Sequence, residues 1–248
     1  MSDFSVFWQF IFLFLGLFII TNFLKQMVVR LVVLAGGNSR WGVFSYSLLF
    51  FPGTVIHETA HLLTAMVLMV PTGKMTIFPE EESEDRVRLG SLEVQRTDFF
   101  RATLVGLAPV LVGVLILFFL SNQVLSFEIG FGLTALKKWL QMAETFSWRE
   151  WAMVYLVFAV SNTMSLSRAD MRTWPVVALL LGSLTVVTMF FGWSSQVLEW
   201  GRRFLLIMMQ QLVPTLATVV ILNSAVAFWL WLIYQGVSIL TGRRVHSY

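Results

Sequence analysis

Residues 42–70 read GVFSYSLLFFPGTVIHETAHLLTAMVLMV, a stretch in which nearly all side chains are apolar or small. Three ionisable residues, His57, Glu58 and His61, interrupt it. The stretch is long enough to cross the roughly 30 Å of hydrocarbon in a bilayer. An ionisable group at that depth is energetically costly and usually marks a function. The sequence therefore predicts a membrane segment built around a polar site.

The composition of the whole chain also favours a membrane protein. Of its 248 residues, 57% are hydrophobic and 12% are charged, whereas soluble domains have about 45–50% apolar and about 25% charged residues. The sequence predicts an all-α polytopic membrane protein with about six transmembrane helices and a membrane-associated β-hairpin. The six apolar stretches lie at 5–24, 42–70, 99–120, 149–166, 175–193 and 212–240.

Turn-forming residues and alternating residues indicate where the chain departs from membrane helices. Gly36-Gly37-Asn38 predicts a break after the first stretch, and Phe51-Pro52-Gly53 predicts a kink or division of the second. Within residues 73–96, polar and apolar side chains alternate with period two, which predicts a β-hairpin at or just inside the membrane surface. We expect an acidic turn at 80–85 between its strands. A plain solvated loop is the alternative for this region.

Charge and cysteine content restrict the kinds of site and partner. The chain has no cysteine, which excludes disulfides and thiolate metal ligands. Its net charge is +3, and its seventeen basic residues are scattered over short loops, as expected for charges that flank membrane spans. We therefore expect contact with the lipid bilayer and no binding of nucleic acid.

The spacing of His57 and His61 is typical of a metal site. On a helix, residues four apart share one face, so both imidazoles can bind one ion. Glu58 then lies beside the metal, where a carboxylate can act as a base toward water that zinc has made more acidic. The HExxH motif therefore predicts Zn²⁺ as the cofactor. Two buried histidines and a glutamate used only in packing are the other interpretation.

A catalytic zinc site normally needs a third protein ligand. Asp170 is one candidate, because it follows an apolar stretch and a run of small polar residues. It could equally cap a helix or pair with a neighbouring arginine at a membrane interface. Glu80 and Glu81, about twenty residues beyond His61, form a second candidate pair. His246 is a poor candidate, because it follows two arginines in a predicted tail.

Three marks resemble the site-2 protease family of intramembrane zinc metalloproteases. They occur in the order of that family: the HExxH motif, then Gly106-Leu107-Ala108-Pro109 in the following span, then Asn162 with Asp170 eight residues later. Ala169-Asp170-Met171 departs from the Leu-Asp-Gly that is common in the family, which affects the local turn more than the ligand. The resemblance extends over about 42–175, more than half of the chain.

The resemblance implies a role for each site residue. His57, His61 and Asp170 would bind zinc, Glu58 would be the catalytic base, and Asn162 would hold the substrate strand near the metal. It also implies a β-hairpin after the HExxH helix. The implied activity is an endopeptidase that cleaves peptide bonds in or near the transmembrane segments of membrane-protein substrates.

The implied organisation is one membrane domain over residues 1–248. Its catalytic core is 42–175, and the accessory transmembrane helices lie in 1–41 and 176–248. The compact size of the chain favours a location in the bacterial cytoplasmic membrane. A non-catalytic zinc-binding membrane protein, such as a sensor, an assembly factor or a pseudoprotease, is the alternative. A metal transporter would need further charged groups along its path, and the first, third, fifth and sixth apolar stretches contain no Asp, Glu, Lys, Arg or His except Arg101, near the start of the third.

Overall fold

A computed structural model describes most of the chain. The described residues are 3–78, 80–83, 86–88, 90–95, 97–124, 141, 144–164, 183, 187 and 194–243.

Six helices and four strands make up the described fold. We number them in chain order. The helices are α1 (Asp3–Leu34), α2 (Ser39–Leu49), α3 (Phe51–Val67), α4 (Phe99–Val124), α5 (Trp148–Thr163) and α6 (Ser194–Thr241), and the strands are β1 (Thr72–Thr76), β2 (Glu80–Ser83), β3 (Arg86–Arg88) and β4 (Ser91–Val94).

Three helices of the described part are long and apolar enough to cross a membrane. They lie at Phe4–Leu34, Phe99–Leu120 and Glu199–Thr241, within α1, α4 and α6. At 1.5 Å per residue, even the shortest extends for about 33 Å. Large apolar side chains such as Phe12 and Phe119 remain exposed on their surfaces, where lipid would cover them. These three helices are consistent with a helical membrane protein.

Three such helices are fewer than the six spans expected from the apolar stretches. The second stretch is divided into α2 and α3, of 11 and 17 residues. The fourth stretch forms α5, which has only 16 residues. A straight crossing needs about 20. The fifth stretch, 175–193, lies almost entirely outside the described residues. The sixth is part of α6, a single helix of 48 residues that continues through Pro214.

Local sequence explains why the helices begin and end where they do. Gly36 has φ +96°, a conformation that is readily accessible only to glycine, and it lies just after α1. The side chain of Asn38 then accepts a hydrogen bond from the N–H of Trp41 at 3.0 Å and caps α2. Pro52 lies in the first turn of α3, where its missing N–H costs no helical hydrogen bond. Both predicted breaks are confirmed.

The polar region between α3 and α4 forms antiparallel strands. β1 pairs with β4, with Thr76 opposite Ser91 and their hydroxyl oxygens 2.9 Å apart. β2 pairs with β3, with Glu80 opposite Arg88. The β-hairpin predicted at 73–96 is thereby confirmed, and the solvated loop is excluded for these strands.

The acidic turn predicted at 80–85 is wrong in its extent. Residues Glu80–Ser83 form β2 and are paired with Arg86–Arg88. The register sets an acidic strand against a strand with two arginines, and opposite charges across a strand pair favour that pairing. A run of acidic residues alone indicates a turn, whereas the strand depends on the pairing of β2 with β3.

The core lies around α5. Val157, Ala159 and Val160 of α5 are almost completely buried. Phe50, between α2 and α3, is also completely buried, and its ring centroid lies 5.1 Å from that of Phe158. α1 and α6 pack against each other along one side of the bundle, and α3 and α4 both contact α5. The short helices α3 and α5 therefore pack against each other and against the longer helix α4.

Gly53 allows α3 to approach α5 closely. A Cβ at this position would overlap the carbonyl oxygen of Ala159 and the hydroxyl of Thr163. Small residues commonly permit such contact between helices in membranes. The crossing brings the first turn of α3 against the last turns of α5, next to the HExxH motif.

We predict that Gly53→Ala destabilises the protein by about 1–3 kcal/mol, because the added methyl forces the two helices apart. Gly16→Ala on α1 is the matched control. A Cβ there meets no atom within 4 Å, so this variant should be neutral or slightly stabilised by its better helix propensity. Unfolding by dodecyl sulfate in mixed micelles measures both changes, and equal stability of the two variants would contradict the close approach.

Candidate metal centre

Helix α3 brings the three ionisable residues of the motif together. The ring centroids of His57 and His61 are 5.0 Å apart, and the ring planes are inclined by 78°. The two imidazoles therefore lie next to each other, as two ligands of one ion must. Glu58 occupies the next position along the helix, and only 7% of it is exposed.

The orientation of His61 is set by a backbone carbonyl of α4. Its Nδ1 lies 2.8 Å from the oxygen of Val105. Because a carbonyl can only accept a hydrogen bond, Nδ1 must carry the proton. In the neutral ring, Nε2 then carries the lone pair that binds a metal. Metal-ligating histidines almost always have such a partner on the other nitrogen, because it fixes the tautomer and the plane of the ring.

The β-hairpin passes directly over Glu58. A Cβ on Gly90, which lies between β3 and β4, would be 3.0 Å from Oε1 of Glu58 and 3.1 Å from the side chain of Thr54. Glycine therefore allows the backbone of the hairpin to lie against the carboxyl group. The sequence alternation predicted the hairpin but not this contact, which depends on how the hairpin folds back over α3.

The candidates for the third ligand lie mostly outside the described part of the chain. Asp170 and His246 lie outside the described residues. The backbones of Glu80 and Glu81 belong to β2, but their side chains are outside the description. Among the described residues, no group of three or more histidine, aspartate or glutamate side chains could hold a metal. Asp170 therefore remains a prediction.

Asn162 belongs to a buried polar network between α5 and α6. Its Nδ2 donates to the carbonyl of Phe158 at 2.8 Å and to Oδ1 of Asn223 at 2.5 Å. The Nδ2 of Asn223 donates in turn to the hydroxyl of Ser161 at 3.0 Å and to the carbonyl of Val219 at 2.9 Å. The substrate-binding role of Asn162 remains a prediction, and the structure adds a role in joining the two helices.

The network fixes which way the amide of Asn162 points. Its Nδ2 faces two acceptor oxygens, so a flipped amide would place oxygen against oxygen. Its Oδ1 has no hydrogen-bond partner among the described residues, although Asn162 is only 2% exposed. The network thus presents one oriented acceptor inside the bundle. Asn223 was missed because it does not belong to any motif, but a lone asparagine in an apolar span is itself a signal.

The pair of histidines, the buried glutamate and the oriented imidazole are suited to hydrolytic metal chemistry. His57 and His61 could supply two nitrogen ligands, since neutral imidazole is a common zinc ligand. Comparison of the chain with protein-family models, with curated proteins and with solved structures gives no significant match. The residues themselves fit half of a zinc site.

We predict that Asn223→Ala destabilises the protein by about 1 kcal/mol, because Asn162 and Ser161 lose a buried partner. Asn22→Ala on α1 is the matched control. Asn22 is exposed and donates only to the carbonyl of Phe18 in its own helix, at 2.8 Å, so its loss should change stability by less than about 0.5 kcal/mol. Unfolding in mixed micelles compares the two, and a larger loss in the control would contradict the prediction.

Proposed function

We propose that the protein is an intramembrane zinc endopeptidase that resembles the site-2 proteases. His57, His61 and Asp170 would hold the metal. The observation that carries the proposal is the bond from His61 to the Val105 carbonyl, at 2.8 Å. The ring of His57 lies 5.0 Å from that of His61. Packing alone does not require two imidazoles so close together, whereas a shared metal ion does. A membrane setting strengthens the argument, because ionisable groups at depth are rare without a function.

The proposed reaction assigns Glu58 as the general base. Its carboxylate would accept a proton from the attacking water and transfer it to the nitrogen of the leaving amine. When bound, zinc would acidify that water and polarise the scissile carbonyl. Glu58 is buried against Gly90, which limits the access of bulk water to the carboxylate. The proton taken from the attacking water would thus reach the leaving nitrogen through the carboxyl group of Glu58.

The substrate would be a transmembrane segment that unwinds locally. In an intact helix the peptide carbonyl is screened by its own hydrogen bond, so the scissile bond must be presented in extended form. Among the described residues, each hairpin strand pairs with only one other strand. Its second edge could bind an extended segment by strand addition. Asn162 would then accept a hydrogen bond from the substrate backbone through Oδ1.

The finer membrane arrangement is also part of the proposal. We place α3 and α5 within the bilayer, packed against α4, although each is shorter than a full span. Together with the stretch at 175–193, they would complete the arrangement of about six membrane segments. The two-helix unit of α2 and α3 would then bring the motif into the membrane from one side.

One observation favours the alternative of a non-catalytic zinc-binding membrane protein. The carboxyl group of Glu58 lies under the hairpin backbone at Gly90, so a substrate would need to displace or replace part of this contact. A structural zinc site would require no such movement. Variants of Glu58 distinguish the two functions, because only the protease needs the carboxylate.

We predict that Glu58→Gln reduces cleavage at least about 100-fold while zinc remains bound, because a general base contributes about 10²–10⁴-fold to the rate. The substrate is a co-reconstituted single-span protein with a Gly-Pro pair in its span, which eases unwinding. Glu199→Gln, an exposed residue paired with Arg202 on α6, is the matched control and should cleave normally. Cleavage that is equal in the two variants would exclude the protease.

We predict that His57→Ala, His61→Ala and Asp170→Ala each lose stoichiometric zinc, because each would leave the ion with two protein ligands. His246→Ala is the control and should retain it. Metal content of the purified proteins, measured by atomic emission, gives the result. If Asp170→Ala keeps its zinc, the third ligand is wrong, and Glu80 and Glu81 become the next variants to test.

A further inference from the structure

Pro109 lies one helical turn beyond the carbonyl that orients His61. In an α-helix, the carbonyl of residue i accepts the N–H of residue i+4, so the N–H at position 109 would bind the oxygen of Val105. Proline has no N–H. Helix α4 nevertheless runs without interruption through Pro109. The oxygen of Val105 instead lies 2.8 Å from Nδ1 of His61.

We infer that Pro109 is a positioning residue for the metal site. By removing the N–H that would occupy the carbonyl of Val105, it makes that carbonyl the acceptor for the imidazole of His61. The inference rests on the zinc site proposed above. It gives a physical task to the proline of the Gly106–Pro109 element, which contributes no side-chain ligand of its own.

The carbonyl of Val105 and the ring N–H of His61 each satisfy the hydrogen-bonding capacity of the other. Val105 is 4% exposed and His61 is 9% exposed, so neither the carbonyl nor the ring N–H can rely on water. A buried polar group without a partner is costly. The proline ring also clashes with the carbonyl at i−4 and tilts it away from the helix axis, which directs the oxygen toward a neighbouring helix. Helix α3 supplies the donor at that point.

Restoring the N–H should weaken this bond without abolishing it. A carbonyl oxygen has two lone pairs, so Val105 could accept both donors in part. However, an intact helical bond draws the oxygen back toward the axis of α4, and the bond from Nδ1 of His61 to this carbonyl would weaken. The Nε2–H tautomer, which cannot bind a metal through Nε2, would then compete. The consequence is weaker zinc binding by a protein that is still folded, because alanine is a better helix former than proline.

The first test is the zinc affinity of Pro109→Ala. Outer-shell partners of metal-ligating histidines typically contribute 10- to 100-fold to affinity, so we expect at least about a tenfold loss in competition with a zinc chelator. Pro214→Ala is the matched control, since Pro214 also lies inside a long helix. Its missing N–H affects the carbonyl of Gln210, on an exposed part of α6, and zinc affinity should not change.

The second test measures which ring nitrogen of His61 carries the proton, and it needs no metal. The chain has three histidines, so ¹⁵N-histidine labelling gives few signals, and His61→Gln identifies those of His61. In zinc-free wild-type protein at a pH where the ring is neutral, we expect Nδ1 of His61 to have the shift of a protonated nitrogen. In Pro109→Ala the two ring nitrogens of His61 should move toward a mixture of tautomers, whereas Pro214→Ala should match the wild type.

A third variant separates the missing N–H from the shape of the proline ring. Lactic acid, the hydroxy-acid analogue of alanine, can be incorporated at position 109 to give an ester without an N–H. It should restore most of the zinc affinity and the His61 ring shifts of the wild type. An ester that behaves like Pro109→Ala would overturn the inference, because the ring and not the absent donor would be responsible.

The outcomes distinguish this inference from the proposed function. If the wild type binds no zinc, the metal site itself fails, and the positioning role fails with it. If the wild type binds zinc and Pro109→Ala equals it in both affinity and His61 ring shifts, only the positioning role is overturned. If Pro214→Ala weakens zinc binding as strongly as Pro109→Ala, the effect is a general one of helix geometry, which also contradicts the inference.

Discussion

Buried polar groups in a bilayer must find their partners inside the protein, and the rest of this structure depends on that constraint. The imidazole of His61 finds the carbonyl of Val105, which joins α3 to α4. The amide of Asn162 finds Asn223, which joins α5 to α6. The hydroxyl of Tyr46 donates to the carbonyl of Asn162 at 3.3 Å and joins α2 to α5. A few polar pairs therefore set helix positions that apolar packing alone leaves adjustable.

Small residues determine how closely the remaining elements approach. Gly53 lets α3 cross α5 at backbone distance, and Gly90 lets the hairpin lie against Glu58. Since lipid is as apolar as a leucine side chain, helices in a membrane associate through close packing and not through burial from water. The glycines and the polar pairs act together, because a hydrogen bond across helices forms only when the backbones are near enough.

Much of the fold could be predicted from the sequence, because hydropathy, period-two alternation and turn residues are local properties. These properties predicted α1, α4, the hairpin and the breaks near Asn38 and Pro52. The prediction failed where the outcome depends on partners distant in sequence. Glu80–Ser83 became a strand because Arg86–Arg88 pairs with it. The motif predicted that His57 and His61 would lie side by side, but the acceptor of His61 is the backbone oxygen of Val105, and a backbone atom carries no residue-type signal.

The two prolines inside helices show that the effect of a residue depends on the groups that surround it in the fold. Pro109 and Pro214 each remove one N–H from a long apolar helix. The sequence around them does not distinguish their roles. The carbonyl left by Pro214 belongs to an exposed turn, where α6 has little contact with the bundle. The carbonyl left by Pro109 is buried and faces an imidazole. A proline in a membrane helix therefore acquires a function from the donor that replaces its N–H.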